Sequence, residues 1–532
     1  MSDTRTMRFS LPEEALVEPF GNISDLIALN AKRSPAHLAL IEGERRVDYA
    51  TFAASVERVA AALIRDGLRV GDTLALCAAN SIEYALVFFG ALRAGVAVAP
   101  IPQLGTASIV ARMVVDSRAR HLFLDGATAA LIEPMRDAVA ARRIAIDESD
   151  TAESLEDWLL DVPTQPPPVT IAPDTPFNII YSSGTTGVPK GIVQPHSMRW
   201  AQLRRGPTYG YRADTVTLNS TPLHSNTTLV SFLPTLALGG TVVLMPKFDA
   251  GGYLALAEHY RVTHAMLVPV QYARILAQPD FERYDLSSFR MKFCTSAPFA
   301  AAMKRDALAR WPGGLIEYYG MTEGGGTCIL LAHEHPDKLH TVGPPAAGHD
   351  MRTIDENGRE LPRGEVGEVV GHSVAMMTGY HRQPELTSAA EWFDDEGRRF
   401  IRTGDIGRFD EDGFLILLDR RKDMIISGGF NVYPSDLEAV LREHPGVLEV
   451  AVIGVESQAW GETPVAFVVA KPGHARDEAA LLQWTNSSVA KVQRLAAVRF
   501  IDELPRSAIG KVLKRELREA FARSRSAQDA PL

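Results

Sequence analysis

The chain has 532 residues, with 41 glycines, 33 prolines and 3 cysteines, enough for roughly two to four domains with sizeable cores. An apolar share of 46% and a charged share of 23% exclude wholesale disorder. The 55 basic and 65 acidic residues leave a net charge of -10, which repels phosphate backbones and argues against nucleic acid as a partner. Cys77, Cys294 and Cys328 lie far apart with no C-x-x-C pair, so they suggest neither a disulfide framework nor a zinc site. They are expected to be small buried apolar residues in a cytosolic protein. Met1 to Ser10 has no apolar core of a signal peptide, and Leu74 to Ile101 is interrupted by Asn80, Glu83 and Arg93, so no membrane span is expected.

Along the chain, Asn22 to Lys32 and Thr51 to Gly67 carry apolar residues at helical spacing, with Phe52, Val56, Val59, Ala60 and Leu63 on one face. Thr73 to Cys77 and Val96 to Ile101 are short apolar runs separated by a helix-length segment, which predicts parallel strands with crossover helices. Pro163, Pro166, Pro167, Pro168 and Pro173 make Asp161 to Asp174 a stiff connection. Strands are predicted at Phe177 to Tyr181, Thr241 to Met245, Ala265 to Val268 and Met291 to Thr295. From Gly364 the texture changes to closely spaced strands, among them Gly367 to Gly371 and Phe414 to Leu418. Beyond Asp423 a helix at Ser435 to His444, strands near Val450 to Val455 and Val465 to Val469, and a basic tail follow, with Ser524 to Leu532 read as disordered. The predicted fold class is α/β. A large multi-subdomain region over 1–420 has parallel sheets and a small barrel-like part; a small α+β domain covers 421–532, with the boundary near Arg420 to Lys422.

The densest chemical signal is Tyr181-Ser182-Ser183-Gly184-Thr185-Thr186-Gly187-Val188-Pro189-Lys190-Gly191. Three glycines let backbone amides approach an anion, four Ser and Thr hydroxyls add donors, and Lys190 adds a positive charge. It is not a Walker loop, because Gly191 stands after Lys190 where that pattern needs Ser or Thr. The run resembles the phosphate-binding signature of the adenylate-forming superfamily, which includes acyl-CoA synthetases, peptide-synthetase adenylation domains and beetle luciferases. Tyr319-Gly320-Met321-Thr322-Glu323, Thr403-Gly404-Asp405, Asp419-Arg420-Arg421-Lys422-Asp423 and Pro505 to Lys511 resemble further elements of that superfamily, in family order.

The resemblance implies a two-domain, AMP-forming carboxylic acid:CoA ligase using ATP, Mg²⁺ and coenzyme A. In it, Ser182, Ser183, Gly184, Thr185, Thr186, Gly187 and Lys190 would grip the phosphates. Glu323, with Thr185, would hold Mg²⁺, and Thr322 would donate to the α-phosphate; one carboxylate suffices, because Mg²⁺ keeps phosphate and water oxygens. Asp405 and Arg420 would bind the ribose, one carboxylate accepting from adjacent hydroxyls. Thr295, Ser296 and Ala297, with Glu317, Tyr318 and Tyr319 opposite, would form the adenine wall, Thr295 and Ser296 being bulkier than the usual Gly and Ala. Lys511 would bridge carboxylate and phosphate during adenylation. Rotation at Lys422 would then bring Gly428, Gly429 and Asn431 to the site for thioester formation, Asn431 contacting AMP, with Lys247 beside the coenzyme A phosphate.

His224 in Thr221 to Leu229 would meet the substrate carboxylate and gate the thiol path, with Thr228, Val270, Gly320 and Gly325 on the acyl side. No Asp occurs between Asp214 and Asp249 to pair with a substrate ammonium, and Val268 to Val270 with Phe293 suggest an apolar lining, so an aromatic, alicyclic or medium-chain acid is expected. Pro505 and Gly510-Lys511 also resemble a site of protein lysine acetyltransferases. Loading of a carrier protein instead of coenzyme A, and a non-catalytic nucleotide-binding role, stand as alternatives, and monomer and homodimer are both left open.

Overall fold

The computed structural model describes residues 9–103, 106–163, 165–182, 190–420, 423–427, 430–457, 460–507 and 510–528; for Ser182, Arg420, Asn431, Val492 and 525–528 it describes the backbone alone. The fold is α/β. It divides into a large unit (1–340, 345–350 and 371–401) and a smaller one (341–344, 351–370 and 402–532).

Two eight-stranded sheets dominate the large unit. In one, Thr73–Cys77, Ala97–Pro100, His121–Leu124 and Arg142–Ala145 run parallel, and Pro176–Ser182 joins Ala97–Pro100 in the same sense. In the other, Gly314–Tyr319, Met291–Cys294, His264–Leu267, Val216–Asn219 and Thr241–Leu244 are parallel neighbours. Their inner strands are apolar on both faces because helices cover both sides. Asp48 caps the helix Tyr49–Arg65 by accepting from the Thr51 amide, and Ser81 caps Ile82–Arg93 through the Tyr84 amide. These two helices pack face to face. Phe52 and Phe89 meet edge-on at 5.4 Å, and Gly90 lies so close to Val59 that a side chain there would collide with it. A methyl group at position 90 would therefore force two helices of the main core apart.

The smaller unit contains the sheet formed by Phe430–Val432, Ile425–Ser427, Gly461–Ala470 and Val447–Ser457, with Ala497–Phe500 added in parallel beside Gly461–Ala470. Its core is split by the sheet, with Leu437 and Leu441 on one side and Leu517 and Phe521 on the other. The last helix, Lys514–Gln528, continues into the segment expected to be disordered, because Leu517 and Phe521 fasten it to the sheet. All three cysteines are free and buried, and no described helix is long and apolar enough to cross a membrane.

At the far edge of the Thr73–Cys77 sheet, Asp66 accepts hydrogen bonds from His121 Nε2, Trp158 Nε1 and Arg142, each at 2.8 Å, and from Arg65 at 3.0 Å. Burial pushes its carboxyl up. The bonds from Trp158, His121 and Arg65 outweigh that and hold its pKa at about 2. A depressed carboxylate stabilises the fold above its unfolded pKa of about 3.9 and loses that contribution as the pH falls towards the folded value. Asp66→Asn is therefore expected to cost about 2 kcal/mol at neutral pH. In thermal melts, its deficit against the unaltered protein should shrink steadily from about pH 4 downwards.

Candidate active site

The strands Pro176–Ser182 and Lys190–Pro195 pair antiparallel with Ser182 opposite Lys190. Ser183, Gly184, Thr185, Thr186 and Gly187, expected to grip phosphates, lie between them, outside the described residues. The Lys190 ammonium sits over the Tyr380 ring, 5.6 Å from its centroid, and the Tyr380 hydroxyl donates to Glu323 Oε1 at 2.8 Å. Lys190, Tyr380 and Glu323 thus form one cluster. Burial and the neighbouring Glu323 charge push the Tyr380 phenol up, so it stays protonated and able to donate. Tyr380 was not among the expected residues. It follows Gly379 on a two-residue strand and is 57 positions from its partner, so no local pattern exposes it.

The turn that carries Glu323 is held along its backbone. The Thr322 carbonyl accepts from the Gln194 amide at 2.5 Å, and the Glu323 carbonyl from the Met377 amide at 2.8 Å. Beyond it, Gly324 and Gly325 have φ of +75° and +86°, a left-handed path that L side chains rarely follow. The Gly325 amide donates to the Ala375 carbonyl at 3.1 Å, which docks the turn onto the segment before Gly379. Thr322 and Glu323 are half-buried. A half-buried carboxylate with one oxygen hydrogen-bonded keeps oxygen lone pairs for a hard cation that completes its shell with phosphate and water. Among the described residues, no group of three or more His, Cys, Asp and Glu side chains gathers to hold a metal without a second ligand source.

Thr295, Ser296 and Ala297 follow the strand Met291–Cys294, and Glu317, Tyr318 and Tyr319 end the neighbouring strand, so the expected wall does come together. Thr295 donates to the Tyr318 carbonyl at 2.8 Å. Ser296 has a φ of +80°, unusual for a residue with a side chain, and its hydroxyl meets that of Thr227 at 2.5 Å. That bond links the wall to the His224 element. The Glu317 carboxylate points into the core, where it pairs with buried Lys304; burial still raises its pKa to about 7. Tyr318 stacks on Phe293 at 5.6 Å, and Phe293 stacks in turn on Tyr211 at 5.8 Å. Phe293 is therefore fully enclosed in an aromatic column.

His224 precedes the helix Asn226–Ala237, which Ser225 caps through the Thr227 amide. Burial lowers the His224 imidazole to about 4, so it is neutral at physiological pH. The preceding segment is fixed by Asn80, whose amide donates to the Thr221 carbonyl at 3.0 Å and accepts from the Leu223 amide at 2.7 Å. Thr228 is fully buried, its hydroxyl turned to Thr221 and the Pro222 carbonyl. Val270, in the first turn of Pro269–Leu276, is half-buried, and Gly320 and Lys247 are exposed.

In the smaller unit, Asp405 is buried at 8% exposure, opposite Arg420 in the antiparallel pairing of Arg399–Phe409 with Leu415–Arg420. Its amide donates to the Thr403 hydroxyl at 3.0 Å, and Gly404 between them has a φ of +69°. Lys422, Gly428 and Gly429 lie outside the described residues, while Asn431 pairs with Ile426. The loop before Lys511 is braced by Arg506, which bonds the Gly510 carbonyl at 2.7 Å and Glu449 at 2.8 Å. Ser507 and Lys511 close it, the Ser507 amide donating to the Lys511 carbonyl at 2.8 Å and the Lys511 amide to the Ser507 hydroxyl at 3.2 Å. Neighbouring cations have acidic partners: Lys514 meets Glu438 at 3.0 Å and Arg518 meets Asp423 at 2.9 Å.

A Cβ at Gly325 would lie 2.7 Å from the Gly371 carbonyl oxygen, on a backbone with positive φ. Gly325→Ala is expected to lower stability by about 1–3 kcal/mol, measured by denaturant unfolding. Gly397→Ala, also at positive φ but with nothing within 4 Å, separates backbone strain alone from strain plus collision and should cost less.

Comparison with known proteins adds to this geometry. The AMP-binding enzyme family matches residues 27–381, and the AMP-binding enzyme C-terminal domain matches 436–511. The chain is 34% identical to the fatty acid–[acyl-carrier-protein] ligase ScoC of Streptomyces coeruleorubidus, covering 93% of this chain and 95% of that one. It is 33% identical to the indoleacetate–CoA ligase of Aromatoleum aromaticum, covering 94% and 98%. Among solved structures, ATP-bound MatB from Rhodopseudomonas palustris superposes with a TM-score of 0.85 at 31% identity, covering 94% of this chain and 99% of that one. With both domains matched and the acidic turn and strand hairpin built as described, this chain belongs to the AMP-binding enzyme family.

Proposed function

We propose that the chain is an ATP-dependent carboxylic acid:CoA ligase that works through an acyl-adenylate. The observation that carries this reading is the cluster of Lys190, Tyr380 and Glu323, in which one tyrosine meets a cation at its ring and a carboxylate at its hydroxyl. A carboxylate is a useful neighbour for a triphosphate only when a divalent cation lies between them, and Glu323 would hold Mg²⁺ for that purpose. Lys190 and the hydroxyls of Ser182, Ser183, Thr185 and Thr186 would orient the phosphates. Asp405 and Arg420 would take the ribose. Lys511 would bridge the acid's carboxylate and the α-phosphate while the carboxylate oxygen attacks phosphorus and pyrophosphate leaves. In the second half-reaction the thiol sulfur attacks the acyl carbon and AMP leaves, after rotation at Lys422 brings Gly428, Gly429 and Asn431 to the site. Neutral His224 would line the thiol path without adding a charge.

The proposed acid is aromatic, alicyclic or medium-chain. Support comes from half-buried Val270, the absence of an Asp near His224, and a relative that takes indoleacetate. Because another relative loads a carrier protein, the acceptor is tested directly. Acid-dependent ATP–pyrophosphate exchange over a panel of acids, followed by AMP release with coenzyme A or a phosphopantetheinylated carrier, decides the reading. Release with the carrier alone would replace coenzyme A as acceptor. No acid-dependent exchange with any acid would defeat the ligase reading.

Lys511→Ala is expected to lower adenylation by two or more powers of ten, about 3 kcal/mol or more, while sparing thioester formation from pre-formed acyl-adenylate. Lys422→Pro should do the reverse, because proline fixes φ where rotation is needed. Acetylation of Lys511 by a protein acetyltransferase removes the same ammonium charge and should copy Lys511→Ala, with mass spectrometry and exchange read on one sample. Equal loss of both half-reactions in both variants would disprove separate roles for the two lysines. Val270→Ala should shift preference towards bulkier acids, one methylene-sized change being worth about 1–3 kcal/mol of discrimination. An unchanged acid profile would remove Val270 from the acyl lining.

A further inference from the structure

Arg199 lies on the helix His196–Leu203 with 1% of its surface exposed. Among the described residues no carboxylate comes within ion-pair distance of it. Its guanidinium instead donates to two amide oxygens, Gln194 Oε1 and, at 2.9 Å, Gln202 Oε1, and lies 5.7 Å from the centre of the Phe177 ring. Its Nε has no hydrogen-bond partner. A buried cation compensated only by neutral dipoles is costly, and mutational experience elsewhere shows that apolar replacements of buried charges are often neutral or stabilising. Such a group calls for a reason other than stability.

The reason is legible in what Gln194 does with its other end. Gln194 is itself fully buried, on the strand Lys190–Pro195. Its carboxamide oxygen accepts from Arg199 while its nitrogen donates to the Thr322 carbonyl at 2.5 Å. Withdrawing electron density at the amide oxygen makes the amide N–H a stronger donor, so the charge of Arg199 is passed on as a tighter hold on Thr322. Phe177 and Gln194 belong to the two strands that flank residues 183–189, so one side chain contacts both of them. Burial lowers the Arg199 pKa to about 9, which leaves it charged at neutral pH.

We propose that Arg199 is a positioning residue that acts through Gln194 to fix the Thr322 carbonyl, and with it the Thr322–Glu323 turn, for nucleotide binding and adenylation. The proposal rests on the ligase reading above but is separable from it. Gln194→Glu gives Arg199 the carboxylate it lacks and takes the donor away from Thr322. It is expected to melt at or above the temperature of the unaltered protein, yet to bind Mg-ATP about tenfold more weakly by calorimetry. Its acid-dependent exchange should fall by a similar or larger factor, with the KM for the acid unchanged. Arg199→Met should likewise hold or raise the melting temperature while weakening Mg-ATP. The double variant Arg199→Met with Gln194→Leu should lose no more than Gln194→Leu alone, because both act on one bond.

A merely structural role predicts the opposite pattern: a lower melting temperature, with ordinary Mg-ATP affinity in the molecules that remain folded. Undiminished Mg-ATP binding by folded Gln194→Glu overturns the proposal, as do fully additive losses in the double variant. If Arg199→Met does not fold, Gln194→Glu and Gln194→Leu decide the matter alone. If the unaltered protein shows no exchange with any acid, the ligase reading falls, and the Mg-ATP titrations still decide the role of Arg199.

Discussion

In the role proposed for Glu323, among phosphates, a carboxylate is useful only in one orientation, since a small rotation would turn an ally of the metal into a charge that repels the nucleotide. Glu323 is restrained accordingly. Its carboxylate is engaged by Tyr380, its own carbonyl by Met377, and the preceding carbonyl by Gln194. The chain then leaves through two left-handed glycines that no other residue type would follow without strain. The strand Lys190–Pro195, through Gln194, and the segment from Ala375 to Tyr380 supply the points of attachment for this one turn. Preorganisation of this kind is what makes a charged group effective at a reacting centre, because no free energy is spent on orienting it when substrate arrives.

Much of the scaffold can be read without coordinates. Thr73–Cys77 is a strand with the bounds expected from its apolar run, and the runs at Phe177, Thr241, Ala265 and Met291 lie within one or two residues of observed strands. Uninterrupted apolar runs of this length, spaced by helices, have few ways to bury both faces except as parallel strands. Glycine and hydroxyl clustering likewise marks the run from Tyr181 to Gly191, whereas Thr322 and Glu323 are marked by their resemblance to a family element. Partners were harder to see. Tyr380, Asn80, Gln194 and Arg199 act on residues tens of positions away in sequence, and periodicity carries no information about which strands become neighbours. Phe293 and Thr228 show the converse. An apolar ring and a hydroxyl beside candidate acyl residues look available in sequence, yet the first is buried and stacked with Tyr211 and Tyr318 and the second is spent on Thr221 and Pro222.

The basic C-terminal stretch is a further case in which composition alone misleads. Arg506, Lys514 and Arg518 look like one undifferentiated run of positive charge, but Glu449, Glu438 and Asp423 each claim one of them. Matching these cations with acids gives this basic segment defined contacts around the Lys511 loop.

The pairing of Arg518 with Asp423 joins residues 95 positions apart, one at the very start of the compact C-terminal segment and the other in its final helix. Leu517 and Phe521 pack beneath that helix into the sheet built from the same segment. The start of the segment is thus stitched to its final helix. Such a piece of polypeptide is partly portable: recombination that cut near residue 423 would carry away its own closure, and the incoming segment would have to remake the bonds from Ser435 to Leu418 and Asp419. Diversification of a lineage could then proceed by exchanging whole segments at that point as well as by point substitution within them.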